Sequence, residues 1–132
     1  MWTALMTQAH GVSTIHETIY ESRWGHIKDL KQMGGKFEFF NPKVVDPEKV
    51  YNFNLADDRP ENFHAVKVHG PTLLSGTEIE INDIRRGATI ILAGLAARGK
   101  TTILDPKNQI KRGYEDLVGR LIKLGAQIDV II

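Results

Sequence analysis

The feature that most constrains this chain is a repeat inside it. Ala9-His10-Gly11-Val12-Ser13-Thr14-Ile15 returns as Ala97-Arg98-Gly99-Lys100-Thr101-Thr102-Ile103. Leu30-Lys31-Gln32-Met33-Gly34-Gly35-Lys36-Phe37-Glu38 returns as Leu121-Ile122-Lys123-Leu124-Gly125-Ala126-Gln127-Ile128-Asp129. The offset grows from 88 to 91 residues, as small insertions between two copies would produce. Each copy reads helix, glycine, strand, loop with an arginine, helix, glycine, strand. Two copies of one such unit imply a pseudo-symmetric α/β assembly whose helices pack on sheets. A dinucleotide-binding sheet is disfavoured, since no G-x-G-x-x-G follows a strand.

The local pattern fills in the copies. Alternation and β-branching from Gly11 to Ile19 predict a strand. Trp24, Ile27, Leu30 and Met33 follow at helical spacing, and Gly34-Gly35 ends that helix. Further strands are expected at Lys36–Phe40, His64–His69, Thr77–Ile81, Lys100–Leu104 and Gln127–Ile132. A buried helix is expected at Ile84–Arg98 and an amphipathic one at Tyr114–Leu124. Trp2, Leu5, Met6 and Ala9 also have helical spacing, but neither a strand nor a cap leads into them, so the first copy is expected to be truncated. Residues 41–62 carry Pro42, Pro47 and Pro60 and read as an inserted polar loop, with Asp57-Asp58 a solvated turn. The first repeat then occupies residues 1–69 and the second 70–132.

Charge and composition exclude several classes. Seventeen basic and sixteen acidic residues, dispersed along the chain, make no phosphate-tracking stripe, so no nucleic-acid partner is expected. Without cysteine there is no disulfide or thiolate metal site. The five histidines lack H-x-x-x-H or H-E-x-x-H spacing, so no metal is expected. Ser13, Ser22 and Ser75 lack a G-x-S-x-G context. The longest apolar stretch, Ala88 to Ala97, is too short to cross a bilayer, and the first residues lack a signal-peptide pattern. A soluble cytoplasmic protein without a membrane partner is expected.

Three junctions could carry chemistry. Asp83 and Arg85 stand at a strand-to-helix turn, where unpaired N–H groups and the helix dipole favour an anion. The guanidinium offers a planar fork to a carboxylate or phosphate, and the neighbouring carboxylate could act as acid or base. The alternative is structural: Asp83 caps the helix and Arg85 pairs with it at the surface. Arg112, in Lys111-Arg112-Gly113-Tyr114-Glu115 at the expected start of the last helix, presents the same choice. Arg23 occupies the corresponding junction of the first copy, and such recurrence is more than one surface pair requires.

At these junctions the chain resembles the UDP-N-acetylglucosamine 1-carboxyvinyltransferase family. Glu17-Thr18-Ile19-Tyr20-Glu21-Ser22-Arg23-Trp24-Gly25-His26 is similar to its E-T-[VI]-[FY]-E-N-R-[FW]-x-H segment. Leu74-Ser75-Gly76, Asp83-Ile84-Arg85, Ile91 to Gly99 and Lys111 to Glu115 follow in the family's order. The resemblance covers almost the whole chain, apart from residues 41–62, and is to the C-terminal part of the family's enzymes only. It implies an inside-out α/β barrel built of βαβαββ units, of which this chain would supply about two. The implied reaction moves enolpyruvate from phosphoenolpyruvate to the 3-hydroxyl of UDP-N-acetylglucosamine and opens peptidoglycan precursor synthesis, with no cofactor.

By the same resemblance, Arg85 and Arg112 would bind phosphoenolpyruvate and Asp83 would take part in proton transfer. Arg23 would form the site wall, and Ile19 would meet the sugar nucleotide through its backbone. Two positions depart from the pattern. The aspartate usual before the Arg112 position is missing, and Arg86 replaces a small residue, which would add positive charge near the site. The family's flexible loop and N-terminal lysine fall outside this sequence, so the chain alone should not turn over. Three other readings stay open: a segment of the related shikimate-pathway transferase, a non-catalytic repeat module, and one half of a split enzyme completed by a separate N-terminal polypeptide.

Overall fold

The computed structural model describes residues 1–131 of the chain. It opens with a short helix α1 (Trp2–Met6), then strand β1 (Gly11–His16), helix α2 (Gly25–Gln32) and strand β2 (Lys36–Phe40). The polar insertion holds one helical turn, α3 (Pro47–Val50), and a 3-10 turn at Leu55–Asp57. Strands β3 (Ala65–Gly70) and β4 (Glu78–Glu80) follow, then α4 (Ile84–Ala96), β5 (Thr102–Leu104), α5 (Gln109–Gly113) and α6 (Leu117–Lys123).

The strands form two sheets. In the first, β3 lies between β1 and β2 and is antiparallel to both, so β1 and β2 run parallel with α2 as the crossover. The alternation that makes β3 a strand also orients it: Ala65, Val66 and Val68 are buried while Lys67 faces out. The second sheet pairs β4 with β5 in parallel across α4. Helix α4 packs against α1, α2 and α5 and brings Ile90 and Ala93 into one core with Ile27, Leu30, Met33, Val66, Val68, Leu74 and Ile81. Helices therefore meet helices at the centre of the described residues.

The repeat is written in the backbone. Four glycines have positive φ, and they form its two equivalent pairs: Gly11 (97°) with Gly99 (81°), and Gly34 (102°) with Gly125 (96°). Both second helices end in the same way. The Gly34 N–H donates to the Lys31 carbonyl and the Gly35 N–H to that of Leu30; Gly125 and Ala126 repeat this toward Ile122 and Leu121. That is the double bond pattern of a left-handed glycine cap, and glycine stands there because a Cβ would strain the positive φ.

Two expectations fail near the C-terminus. Residues 127–131 form no strand, although Gln127–Ile132 has the pattern of one; Ile132 lies outside the described residues. A strand needs a partner for its N–H and C=O groups, and none is in place among the described residues. Val130 and Ile131 are accordingly exposed, as are Leu104, Ile122 and Leu124. The expected helix Tyr114–Leu124 begins only at Leu117, because Tyr114 is extended and Asp116 takes a left-handed φ of 46°. Arg112 thus sits in the last turn of α5, ahead of the final helix rather than at its start.

The two sheets are stitched together at Leu74-Ser75-Gly76. The Ser75 N–H donates to Met33, that of Gly76 to Arg98 at 2.7 Å, and the Arg98 N–H to Leu74 at 2.8 Å. A Cβ on Gly76 would stand 2.2 Å from the Lys100 carbonyl oxygen and 2.5 Å from its carbon, and backbone there cannot yield. Gly76→Ala should therefore cost about 2–3 kcal/mol by overpacking. Urea denaturation checks this, and an unchanged midpoint would show that the strands separate freely.

Candidate functional site

The loop from Glu17 to Trp24 leaves the end of β1 and carries the first group of candidate residues. Its turn is local: Glu17 Oε1 accepts the N–H groups of Ile19 at 2.8 Å and Tyr20 at 3.3 Å. Ile19 is exposed, and since its N–H is taken by Glu17, its carbonyl is the backbone group left for another molecule. The Arg23 guanidinium lies over the Tyr20 ring at 4.0 Å from the centroid, a cation–π contact. The Arg23 guanidinium and then that of Arg85, both close to the phenol, hold Tyr20 below the usual tyrosine range. Arg23 and Arg85, remote in sequence, thus converge on one phenol.

Arg85 comes from the first turn of α4. Asp83 is the N-cap of that helix, its Oδ1 accepting the Arg86 N–H at 2.9 Å. The capping half of the structural alternative is therefore observed, and the surface pair of Arg85 with Asp83 is not: Arg85 turns to Tyr20 instead. The second Asp83 oxygen accepts no hydrogen bond among the described residues. Ile84, between Asp83 and Arg85, packs on Gly113, where a Cβ would stand 2.1 Å from its side chain. That contact puts Arg112 one residue from the Asp83–Arg85 turn. None of Arg23, Arg85 and Arg112 forms an ion pair with a carboxylate among the described residues.

Arg86 does not add charge to the site. Its Nε and a terminal nitrogen donate to Asp29 at 2.6 and 2.9 Å, and the other terminal nitrogen donates to Asn82 at 2.8 Å. Asp29 lies on α2 and is 2% exposed, so this is a bidentate pair that locks α4 to α2. The motif reading overlooked Asp29, because a carboxylate in a helix of alternating polarity reads as surface.

His26, the last residue of the E-T-I-Y-E-S-R-W-G-H segment, packs beside that pair with Nε2 2.9 Å from Thr3 Oγ1. Burial foremost, then the Met1 amine and Arg86, push its pKa down from 6.5 to about 4 against the pull of Asp29 and Asp83. The folded state keeps the ring neutral, so below pH 6.5 the unfolded chain binds a proton that the fold refuses. Stability then falls as pH drops from about 6.5 to about 4 and levels off below. The whole effect is about 2 kcal/mol, trimmed because the ring keeps some solvent contact. Urea midpoints across this range should show the decline in the native chain and a shallower one in His26→Gln; equal slopes would remove His26 from the account.

The insertion is less solvated than its composition suggests. Asp58 is not a solvated turn: its Oδ2 meets Nε2 of the buried His64 at 2.9 Å, and its Oδ1 accepts from Asn62 at 3.0 Å.

Comparison with known proteins bears on the family and the fold. A family model described as EPSP synthase (3-phosphoshikimate 1-carboxyvinyltransferase) matches residues 1–121. The UDP-N-acetylglucosamine 1-carboxyvinyltransferases of Prosthecochloris aestuarii and Chlamydia muridarum are 37% and 34% identical to the chain over 127 residues. Each match covers 96% of this chain and 24% or 27% of the relative, so the chain spans about a quarter of the length of the curated relatives it matches. The crystal structure of the enolpyruvyl transferase NikO from Streptomyces tendae superposes with a TM-score of 0.70 at 29% identity, over 97% of this chain and 24% of that one. The fold is that of an enolpyruvyl transferase, and with its repeated α/β units and a family model matched over residues 1–121, the chain belongs to the EPSP synthase family.

Proposed function

We propose that the chain works as part of a UDP-N-acetylglucosamine 1-carboxyvinyltransferase, supplying one wall of a site for phosphoenolpyruvate and the sugar nucleotide. The observation that carries this reading is that Arg23 and Arg85 meet at Tyr20, with Arg112 next to the Gly113 that packs on Ile84, and that none of the three has a carboxylate partner among the described residues. Phosphoenolpyruvate carries a carboxylate and a phosphate, and guanidinium forks match both. In the proposed reaction the acceptor 3-hydroxyl gives up its proton to a base of the site and its oxygen adds to C2 of phosphoenolpyruvate, while a proton is delivered to C3. A proton then leaves C3 as the C2–O bond to phosphate breaks, which restores the double bond and releases phosphate. The arginines would hold the anionic groups throughout, and the free Asp83 oxygen would move a proton. Peptidoglycan precursor synthesis and a cytoplasmic location belong to the same reading.

Phosphate release tests it. The complete polypeptide that contains this chain should release phosphate from phosphoenolpyruvate only when UDP-N-acetylglucosamine is present. The 132 residues alone should release none, since they span a quarter of the related enzymes. Turnover with shikimate 3-phosphate in place of the sugar nucleotide would move the assignment to the shikimate-pathway relative. Turnover by the 132 residues alone would show that this segment holds a whole site.

A further inference from the structure

The insertion from residue 41 to 62 has no role in the proposed reaction, yet the structure ties it to the candidate site. Asn41 closes its stem by donating to the Asn62 carbonyl at 3.1 Å and accepting the His64 N–H at 2.8 Å. Beyond the stem, the Asn52 N–H donates to the Thr18 carbonyl at 2.7 Å, and the Tyr51 hydroxyl meets His16 Nε2 at 3.1 Å. The rings of Tyr51 and Phe53 lie against that of His64, with centroids 4.9 and 5.3 Å away. The Asp58 contact then holds His64 from the insertion's other arm.

Apart from the Arg85 contact at the Tyr20 side chain, the loop these contacts reach is otherwise held at its ends. The Glu17 N–H donates to the His64 carbonyl at 2.7 Å, and the Trp24 indole N–H donates to the Phe63 carbonyl at 2.6 Å. Among the described residues, Asn52 to Thr18 is the one backbone hydrogen bond from a distant segment to residues 18–23. A surface loop without such a tie keeps its conformational freedom, and a ligand would have to order it on binding.

We propose that the insertion is a positioning element for the acceptor side of the site: by fixing Thr18 it presets the exposed backbone at Ile19 for the sugar nucleotide. The proposal rests on the functional reading above, in which Ile19 meets the acceptor. No residue of the insertion need touch the reacting atoms.

Two variants of the complete polypeptide test it. One replaces residues 43–60 by an Asn-Gly turn, keeping the Asn41 stem. The other, Tyr51→Ala with Phe53→Ala, keeps the chain length in case the deletion does not fold. Hydrogen exchange at residues 18–23 should speed up in both while β1 and β3 stay protected. The Kd and KM for UDP-N-acetylglucosamine should rise about tenfold or more, with turnover at saturating acceptor retained. Unchanged exchange, or faster exchange with unchanged acceptor affinity, overturns the proposal. If the native polypeptide binds no UDP-N-acetylglucosamine, the functional reading fails separately; faster exchange then still supports the tether, and unchanged exchange still removes it.

Discussion

Replacing Arg86 by alanine should destabilise the chain by about 3–5 kcal/mol at neutral pH, the cost of leaving a buried carboxylate without its partner. Asp29 is almost wholly enclosed, and the substitution removes two of its charge-assisted hydrogen bonds together. Against a total stability of about 5–15 kcal/mol, that loss brings the fold near its limit. Replacing both residues by leucine should be much milder, because no unpaired charge then remains. Urea denaturation of the native chain and the two variants checks this. A loss below about 1 kcal/mol in Arg86→Ala, the range of an exposed pair, would mean that solvent reaches Asp29.

Arg86 also shows where a sequence stops being legible. The repeat could be read directly because its markers are local. Glycines at Gly11, Gly34, Gly99 and Gly125 take positive φ whatever lies around them, and they recur with the units. The strand β3 and the helix α4 were legible through their apolar periods. The partner of Arg86 lies 57 residues away, on a helix where one carboxylate looks like any solvated one, so its burial was not legible. The strand expected at residues 127–131 failed for a related reason: alternation shows a strand's faces and not whether a neighbour exists to pair with it. Tyr20 stood within a recognised motif, but nothing in its pattern said that two arginines would meet on its phenol. For the insertion, proline content foretold irregular backbone at residues 41–62. Its anchoring depends on the rings of Tyr51 and Phe53 packed against His64, and no short-range pattern records that.

Asp83 holds two jobs in this account, and one substitution should separate them. Asparagine caps a helix about as well as aspartate, so Asp83→Asn should keep the bond to the Arg86 N–H and cost the fold only a few tenths of a kcal/mol. Asp83→Ala should cost about 1 kcal/mol, the usual worth of a cap. An amide cannot take up or deliver the proton that a carboxylate can. If Asp83 moves a proton in the proposed reaction, kcat of the complete polypeptide should fall about 10²–10⁴-fold in the asparagine variant. Binding of phosphoenolpyruvate should hold in that variant, because Arg85 and Arg112 stay where the intact cap puts them. Steady-state kinetics beside urea unfolding read the two effects apart. Full turnover in Asp83→Asn, together with a loss in Asp83→Ala that tracks its lower stability, would reduce Asp83 to a cap and leave the proton transfer to another residue.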